Sequence, residues 1–327
     1  MTSTEYYEPI TLVVAPADDG MLVRSLLDRR LGVSRKLMSR LKETEEGITL
    51  NGKRVYTSQH AQAGDLLVIR MEREQSDDIL PQPMALNIVY EDAHLLVIAK
   101  QAGIIVHPTH GHYTGTLANG VVHHWQERGE KVRFRPVHRL DQETSGLVAI
   151  AKNPYVHQQL SEQMQRGEIE KRYCAFTRGV PESADGTVNE PIDRDPAEPH
   201  VRIVTPDGYP SITHYETIRT YGDRQASLVR LQLETGRTHQ IRVHMQYIGC
   251  PLLGDKMYGH RLGDDEGIGA AVRAAVVESG LDRQALHAEY LAFVHPYTKE
   301  RVAFQAELPE DLARLEQALI ALSTRPF

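Results

Sequence analysis

Hydrophobic and polar positions along this chain follow two periods that alternate from segment to segment. Across residues 21–31, Leu22, Leu26, Leu27 and Leu31 recur at helical spacing, and Gly32 stops the run. Ser34 stands where a helix cap belongs, ahead of residues 35–42 with Leu37, Met38 and Leu41 on one side. Residues 47–50 then predict a strand, Asn51-Gly52 a tight hairpin turn, 53–56 its return and 66–71 a further strand. Residues 10–14 predict an edge strand before the first helix. Farther on, 88–90 and 95–99 predict strands joined at Glu91-Asp92, and 147–151, 172–176 and 227–233 three more. A helix starts at Gly115-Thr116 and carries Leu117, Val121 and Val122. Others are predicted at 155–165, at 238–247 with Ile241, Met245 and Ile248 on one side, at the Ala/Val-rich 269–278, and at 310–322 behind Pro309.

Short strands mixed with helices, without a steady βαβ rhythm, predict an α+β fold. The expectation is a mixed, mainly antiparallel sheet flanked by helices, with a small α/β unit at the N-terminus. A chain of 327 residues is long for one core. The expected divisions are a lead-in at 1–15, a compact unit at 16–73, an acidic, polar linker at 74–83 ending Pro81-Gln82-Pro83, and a larger domain at 84–327.

Composition narrows the possibilities. No apolar run is long enough to span a membrane, and residues 1–10 are acidic and polar, unlike a secretory leader. Cys174 and Cys250 lie far apart and outside any C-x-x-C pattern, so neither a disulfide framework nor a cysteine zinc site is expected. The expected location is the reducing cytoplasm. His107, His110, His112, His123 and His124 crowd together without the carboxylate or cysteine spacing of a metal motif, and no metal is expected. A net charge of −7 argues against a uniformly basic coat, yet residues 23–42 carry seven basic side chains against one acidic, a local excess of six. Arg29, Arg30, Arg35, Lys36, Arg40 and Lys42 fall on the two predicted helices and their junction, a candidate phosphate-binding face.

The segment His138-Arg139-Leu140-Asp141-Gln142-Glu143-Thr144-Ser145-Gly146-Leu147 bears the most chemistry. It sets a carboxylate near a guanidinium on a turn that leads into an apolar strand. An opposite charge keeps a carboxylate ionised, and an ionised carboxylate can serve as nucleophile or electrostatic stabiliser.

Other blocks stand in order around it: Lys100-Gln101-Ala102-Gly103-Ile104-Ile105-Val106-His107-Pro108 with Gly115-Thr116-Leu117, then Lys171-Arg172-Tyr173-Cys174-Ala175. Next comes Glu234-Thr235-Gly236-Arg237-Thr238-His239-Gln240-Ile241-Arg242-Val243-His244, with Gly254-Asp255 and Tyr258-Gly259 after it. Leu286-His287-Ala288 and Phe293-Val294-His295-Pro296 close the set. Together these blocks resemble the RluA/RluD family of RNA pseudouridine synthases. Residues 16–73, and Val33-Ser34-Arg35-Lys36-Leu37-Met38-Ser39-Arg40-Leu41 above all, are similar to the S-four-like RNA-binding domain.

The resemblance implies isomerisation of uridine in RNA. The bond from carbon 1′ to nitrogen 1 breaks, the uracil turns over, and carbon 1′ bonds to carbon 5, with no cofactor or metal required. It implies Asp141 as the catalytic carboxylate, Arg237 as its ion-pair partner, and Tyr173 as an active-site tyrosine that stacks on uracil or acts as base at carbon 2′. Whether Asp141 attacks the sugar, attacks the base or assists a glycal route stays open. A stacked uridine must be extruded, with Arg139 filling the space and His138 and Leu286 lining the pocket. The six basic residues become RNA contacts. The expected partner is structured RNA, large-subunit ribosomal RNA ahead of transfer RNA, met by a monomer. The alternative of a different class is an RNA-binding ribosome-assembly factor with a non-catalytic synthase-like domain. Asp141, Tyr173 and Arg237, all intact, weigh against it. Gln142-Glu143 departs from the Lys-Asp common in the family and bears on target choice.

Overall fold

The computed structural model describes residues 6–259 and 269–323, so the first five residues of the expected lead-in lie outside the described residues. The chain opens with an antiparallel sheet of β1 (Ile10–Val13), β2 (Ile48–Leu50), β3 (Lys53–Arg54) and β4 (Leu66–Ile69), ordered β1-β4-β2-β3. Two short helices, α1 (Val23–Arg29) and α2 (Arg35–Glu43), pack on it. Ser34 caps α2, its Oγ accepting the Leu37 N–H at 3.2 Å. Asn51 and Gly52 turn the β2–β3 hairpin with φ of 52° and 76°, the left-handed pair that such a two-residue turn requires.

A nine-stranded sheet forms the rest. Its strands are β5 (Ile88–Glu91), β6 (Leu95–Lys100), β7 (Ser145–Ala151), β8 (Glu170–Arg178), β9 (Asp185–Asn189), β12 (Ile212–Tyr221), β13 (Ala226–Leu233), β14 (Leu286–Val294) and β15 (Arg301–Gln305). Their order is β5-β6-β7-β14-β8-β13-β12-β9, with β15 pairing the far half of β14. Every pairing is antiparallel except the short parallel contact of His287 with Ser145 and Ala288 with Gly146. β10 (Ile192–Arg194) and β11 (Arg202–Val204) make a separate two-stranded ribbon. The helices are α3 (Leu117–Glu127), α4 (Pro154–Gln165), α5 (Gln240–Tyr247), α6 (Ala270–Ser279) and α7 (Glu310–Ser323). The architecture is the expected α+β one. β9 to β12, β14 and β15 are strands beyond those that the residue pattern predicts.

Period two explains why β6 and β7 read as unbroken apolar runs. Leu95, Val97, Leu147 and Ala149 face one core, while Leu96, Ile98, Val148 and Ile150 face another. A strand buried on both faces has no polar side. The first core is shared with Leu26, Leu27, Leu41 and Leu67 of the N-terminal unit. That unit also docks on α4: Tyr155 Oη donates to Leu31 O at 2.8 Å, and Gln158 and Gln159 donate from Nε2 to Gly32 O at 2.6 and 2.8 Å. The stretch read as a linker is packed as well, with Ser76 and Ile79 buried and Ser76 Oγ accepting the Phe134 N–H.

Candidate active site

The loop 138–144 runs into β7 and is fixed from several directions. Lys100, buried at the end of β6, donates from Nζ to the carbonyls of Gln101, Ile104 and Gln142 at 2.9, 2.8 and 2.9 Å. Burial pushes its pKa down to about 7, but three carbonyl acceptors match the three donors of an ammonium, so the cation is the form this cage holds. The Gly103 N–H donates to Gln142 O at 3.0 Å, and Gln142 Nε2 donates back to Gly103 O at 3.1 Å. Arg283, also buried, donates to Glu143 O at 3.0 Å and to both oxygens of Asp311 at 2.6 and 3.0 Å. His138 Nε2 accepts the Ala149 N–H at 3.3 Å, standing in for a strand partner beyond the Val137–Ala149 contact. Burial, and secondarily the charge of Lys171, hold its pKa down to about 3.

Asp141 projects from this loop into a cleft of about 530 Å³, a volume suited to a small ligand or one nucleoside. Arg242 Nη1 lies 3.6 Å from Asp141 Oδ2, and His239 Nε2 lies 4.0 Å from the same oxygen. His239 is the left-handed N-cap of α5 and Arg242 lies in the helix's first turn. Arg242 is braced from behind. Its Nε and Nη2 donate to Asp255 at 2.7 and 2.8 Å, a bidentate fork, and its guanidinium lies 4.8 Å from the Tyr258 ring centroid. Asp255 also accepts the N–H groups of Met257 and Tyr258. Burial alone would lower the Arg242 pKa, but Asp255 and Asp141 more than reverse this and raise it. Tyr258 Oη accepts the Arg202 N–H at 2.9 Å and meets His239 Nδ1 at 2.8 Å. That contact fixes the imidazole ring with its Nε2 edge toward Asp141. Burial lowers the His239 pKa against the pull of Asp141.

Tyr173 on β8 and Leu286 on β14 supply buried apolar walls. Burial, then the Asp141 charge, hold the Tyr173 phenol well above its ordinary range, so it is neutral at neutral pH.

Asp141, Tyr173, Arg237, Arg139, His138 and Leu286 all line this one cleft. The expected ion pair between Arg237 and Asp141 is corrected. Among the described residues, the guanidinium within 4 Å of Asp141 is that of Arg242. Arg237 is exposed, its Nε donates to Pro210 O at 3.4 Å, and its guanidinium lies 5.5 Å from the Tyr209 ring centroid. The cause is local backbone geometry. Residue 237 precedes the left-handed turn at His239, with φ of 58°, whereas residue 242 lies inside the helix and faces inward. The signal was present in the sequence, since Arg242 belongs to the same block and Asp255 to the one after it. Arg139 is exposed at the rim and, among the described residues, forms no ion pair with Asp141. Sequence reasoning also missed Lys100, Lys171, Tyr258 and Arg283.

Of the six basic residues on the N-terminal helices, Arg30 is held by Asp18 at 2.9 and 3.0 Å and Arg40 pairs with Glu74. Arg29, Arg35, Lys36 and Lys42 are exposed, with no carboxylate within 4 Å among the described residues. His124 pairs with Glu91 at 2.9 Å and His123 with Glu127 at 3.5 Å. Among the described residues no group of three His, Cys, Asp or Glu is placed to hold a metal ion. Likewise, none of their helices is long and apolar enough to cross a membrane.

Comparison with known proteins agrees with this architecture. The sequence profile of the family described as RNA pseudouridylate synthase matches residues 94–247. The chain is 40% identical over 286 residues to the "Uncharacterized RNA pseudouridine synthase YjbO" of Bacillus subtilis (strain 168), covering 87% of this chain and 95% of that protein. It is also 40% identical over 286 residues to "Ribosomal large subunit pseudouridine synthase D" of Yersinia pestis, covering 86% of each. The solved structure of "Human RNA Pseudouridylate Synthase Domain Containing 4" superposes with a TM-score of 0.59 at 25% identity, covering 72% of this chain and 93% of that one. Fold and sequence define an RNA-modifying isomerase. The chain belongs to the RNA pseudouridine synthases.

Proposed function

We propose that this synthase acts on uridine in large-subunit ribosomal RNA and that Asp141 is its catalytic carboxylate. The observation that carries the reading is the placement of Asp141 in a nucleoside-sized cleft, beside a guanidinium that Asp255 already holds in orientation. When the bond from carbon 1′ to nitrogen 1 breaks, the ribose gains positive character, and a fixed carboxylate close to it can stabilise or capture that centre, as in glycoside cleavage. Arg242 keeps the carboxylate aimed. Tyr173, a neutral buried phenol, suits stacking on the uracil better than taking a proton from carbon 2′. The target base enters by extrusion, with Arg139 and Arg237 at the rim where the nucleic-acid backbone passes. Arg29, Arg35, Lys36 and Lys42 add phosphate contacts on the N-terminal unit. The ribosomal assignment is supported by relatives bearing the name ribosomal large subunit pseudouridine synthase D.

The test is to map pseudouridines in total RNA from cells with and without the protein. The expected result is loss of modification at one or more uridines of the large-subunit RNA. Loss confined to transfer RNA would transfer the assignment there, and an unchanged map would favour an assembly role without catalysis.

A further inference from the structure

We infer that Lys171 is a catalytic residue of this cleft, its ammonium holding the negative charge of the uracil while that ring is detached from the ribose. The inference rests on the synthase reading above. Lys171 lines the cleft and is only 9% exposed. It sits two residues before Tyr173 on β8, so both side chains leave the same face of the sheet. Among the described residues its ammonium has no carboxylate or other hydrogen-bonding partner. A Cβ at Gly236 would lie 3.8 Å from Nζ, so the glycine leaves open space in front of the charge. Burial lowers the Lys171 pKa, the mark of a cation that destabilises the fold. An apolar side chain would serve the packing better.

Depth selects the ligand group. Arg139 and Arg237 are exposed at the rim, where phosphates run, while Lys171 lies beside Tyr173 and Leu286, where a base would sit. Cleavage of the bond from carbon 1′ to nitrogen 1 leaves the electron pair on nitrogen 1, so the free uracil is an anion with charge spread onto oxygens 2 and 4. After carbon 5 bonds to carbon 1′, carbon 5 gives up its proton and nitrogen 1 gains one. Nothing is oxidised or reduced. A cation placed at one of those oxygens gains interaction as the charge develops, which accelerates the step more than it tightens binding.

The experiment compares wild type, Lys171→Met, Lys171→Gln and Lys171→Arg in single turnover on an unmodified transcript of large-subunit ribosomal RNA. An inert wild type overturns the synthase reading and this inference with it. With an active wild type, both neutral variants are expected to fall about 100-fold in rate, with unchanged RNA affinity and salt dependence and no loss of melting temperature. Lys171→Arg should recover part of the rate. When 5-fluorouridine replaces uridine, the more acidic leaving base should shrink the deficit in glycosidic cleavage. Wild-type rates in the neutral variants would overturn the assignment. So would an equal deficit for both bases combined with weakened, less salt-dependent binding, which would place the ammonium on a phosphate.

Discussion

Two arginines in one short block have different fates. Arg242 is 7% exposed and forked to Asp255, while Arg237 lies at the surface over Tyr209. Their substitution should separate two kinds of effect. Arg242→Met removes the guanidinium from Asp141 and strands a buried carboxylate at Asp255, which costs about 3 kcal/mol or more in comparable buried pairs. A fall in denaturation midpoint together with near-complete loss of turnover is expected. Arg237→Ala should keep the midpoint and retain chemistry once RNA is saturating. Equal effects on stability would contradict the assignment of roles. A lone aspartate on a turn is more often a structural cap, so the place of Asp141 in the cleft was legible from the ordered blocks around it. Its partner was not, because spacing along the chain says little about which arginine an interrupted helix start turns inward. Lys100 and Arg283 escaped notice for a related reason. Both hold the loop through backbone carbonyls, and carbonyls leave no mark on a residue pattern.

At the scale of elements, the helices and the doubly buried strands were readable, since Ser34 and Thr116 cap helices at the starts predicted for them. β12 was not. Its residues, Ile-Thr-His-Tyr-Glu-Thr-Ile-Arg-Thr-Tyr, favour a strand by type, but they are half-exposed and lack a clean apolar–polar alternation, so the segment carries no period-two signal although it pairs with both β13 and β9. The junction of β7 with β14 depends on a single glycine. Gly146 has φ of 119°, and a Cβ there would stand 2.3 Å from Ala288 O. Gly146→Ala must therefore push apart the only parallel contact in the sheet among the described residues, two residues downstream of Thr144 in the loop that carries Asp141. The expected outcome is destabilisation of more than about 2 kcal/mol by denaturant titration, from strain at a position closed to L side chains. An unchanged midpoint would show that the junction yields freely.

For the whole molecule, the N-terminal unit and the large sheet share an apolar core, so the basic helices are seated on the synthase rather than tethered to it. Neutralising Arg29, Arg35, Lys36 and Lys42 together to Gln should leave the fold intact and make log affinity for RNA less steep in log salt by roughly 3, about 0.7 to 0.9 for each lost phosphate contact. An unaltered slope would make that surface only a solvated one. Acid should weaken the molecule in a defined direction. Burial holds His287 down to about 4 and His138 down to about 3, while an unfolded histidine takes its proton near ~6.5. Between those values the unfolded chain binds more protons, so stability is full above about pH 6.5 and falls as pH drops through 4. A denaturation midpoint that rises on acidification across that window would contradict the buried neutral state of these rings.

The most direct test of the account is single-turnover pseudouridine formation by Asp141→Asn on unmodified large-subunit ribosomal RNA, measured beside RNA affinity in the same preparation. Wild-type affinity and no product are expected, because the cleft and its basic rim remain while the charge proposed to face carbon 1′ is gone. Product formed at the wild-type rate would contradict it.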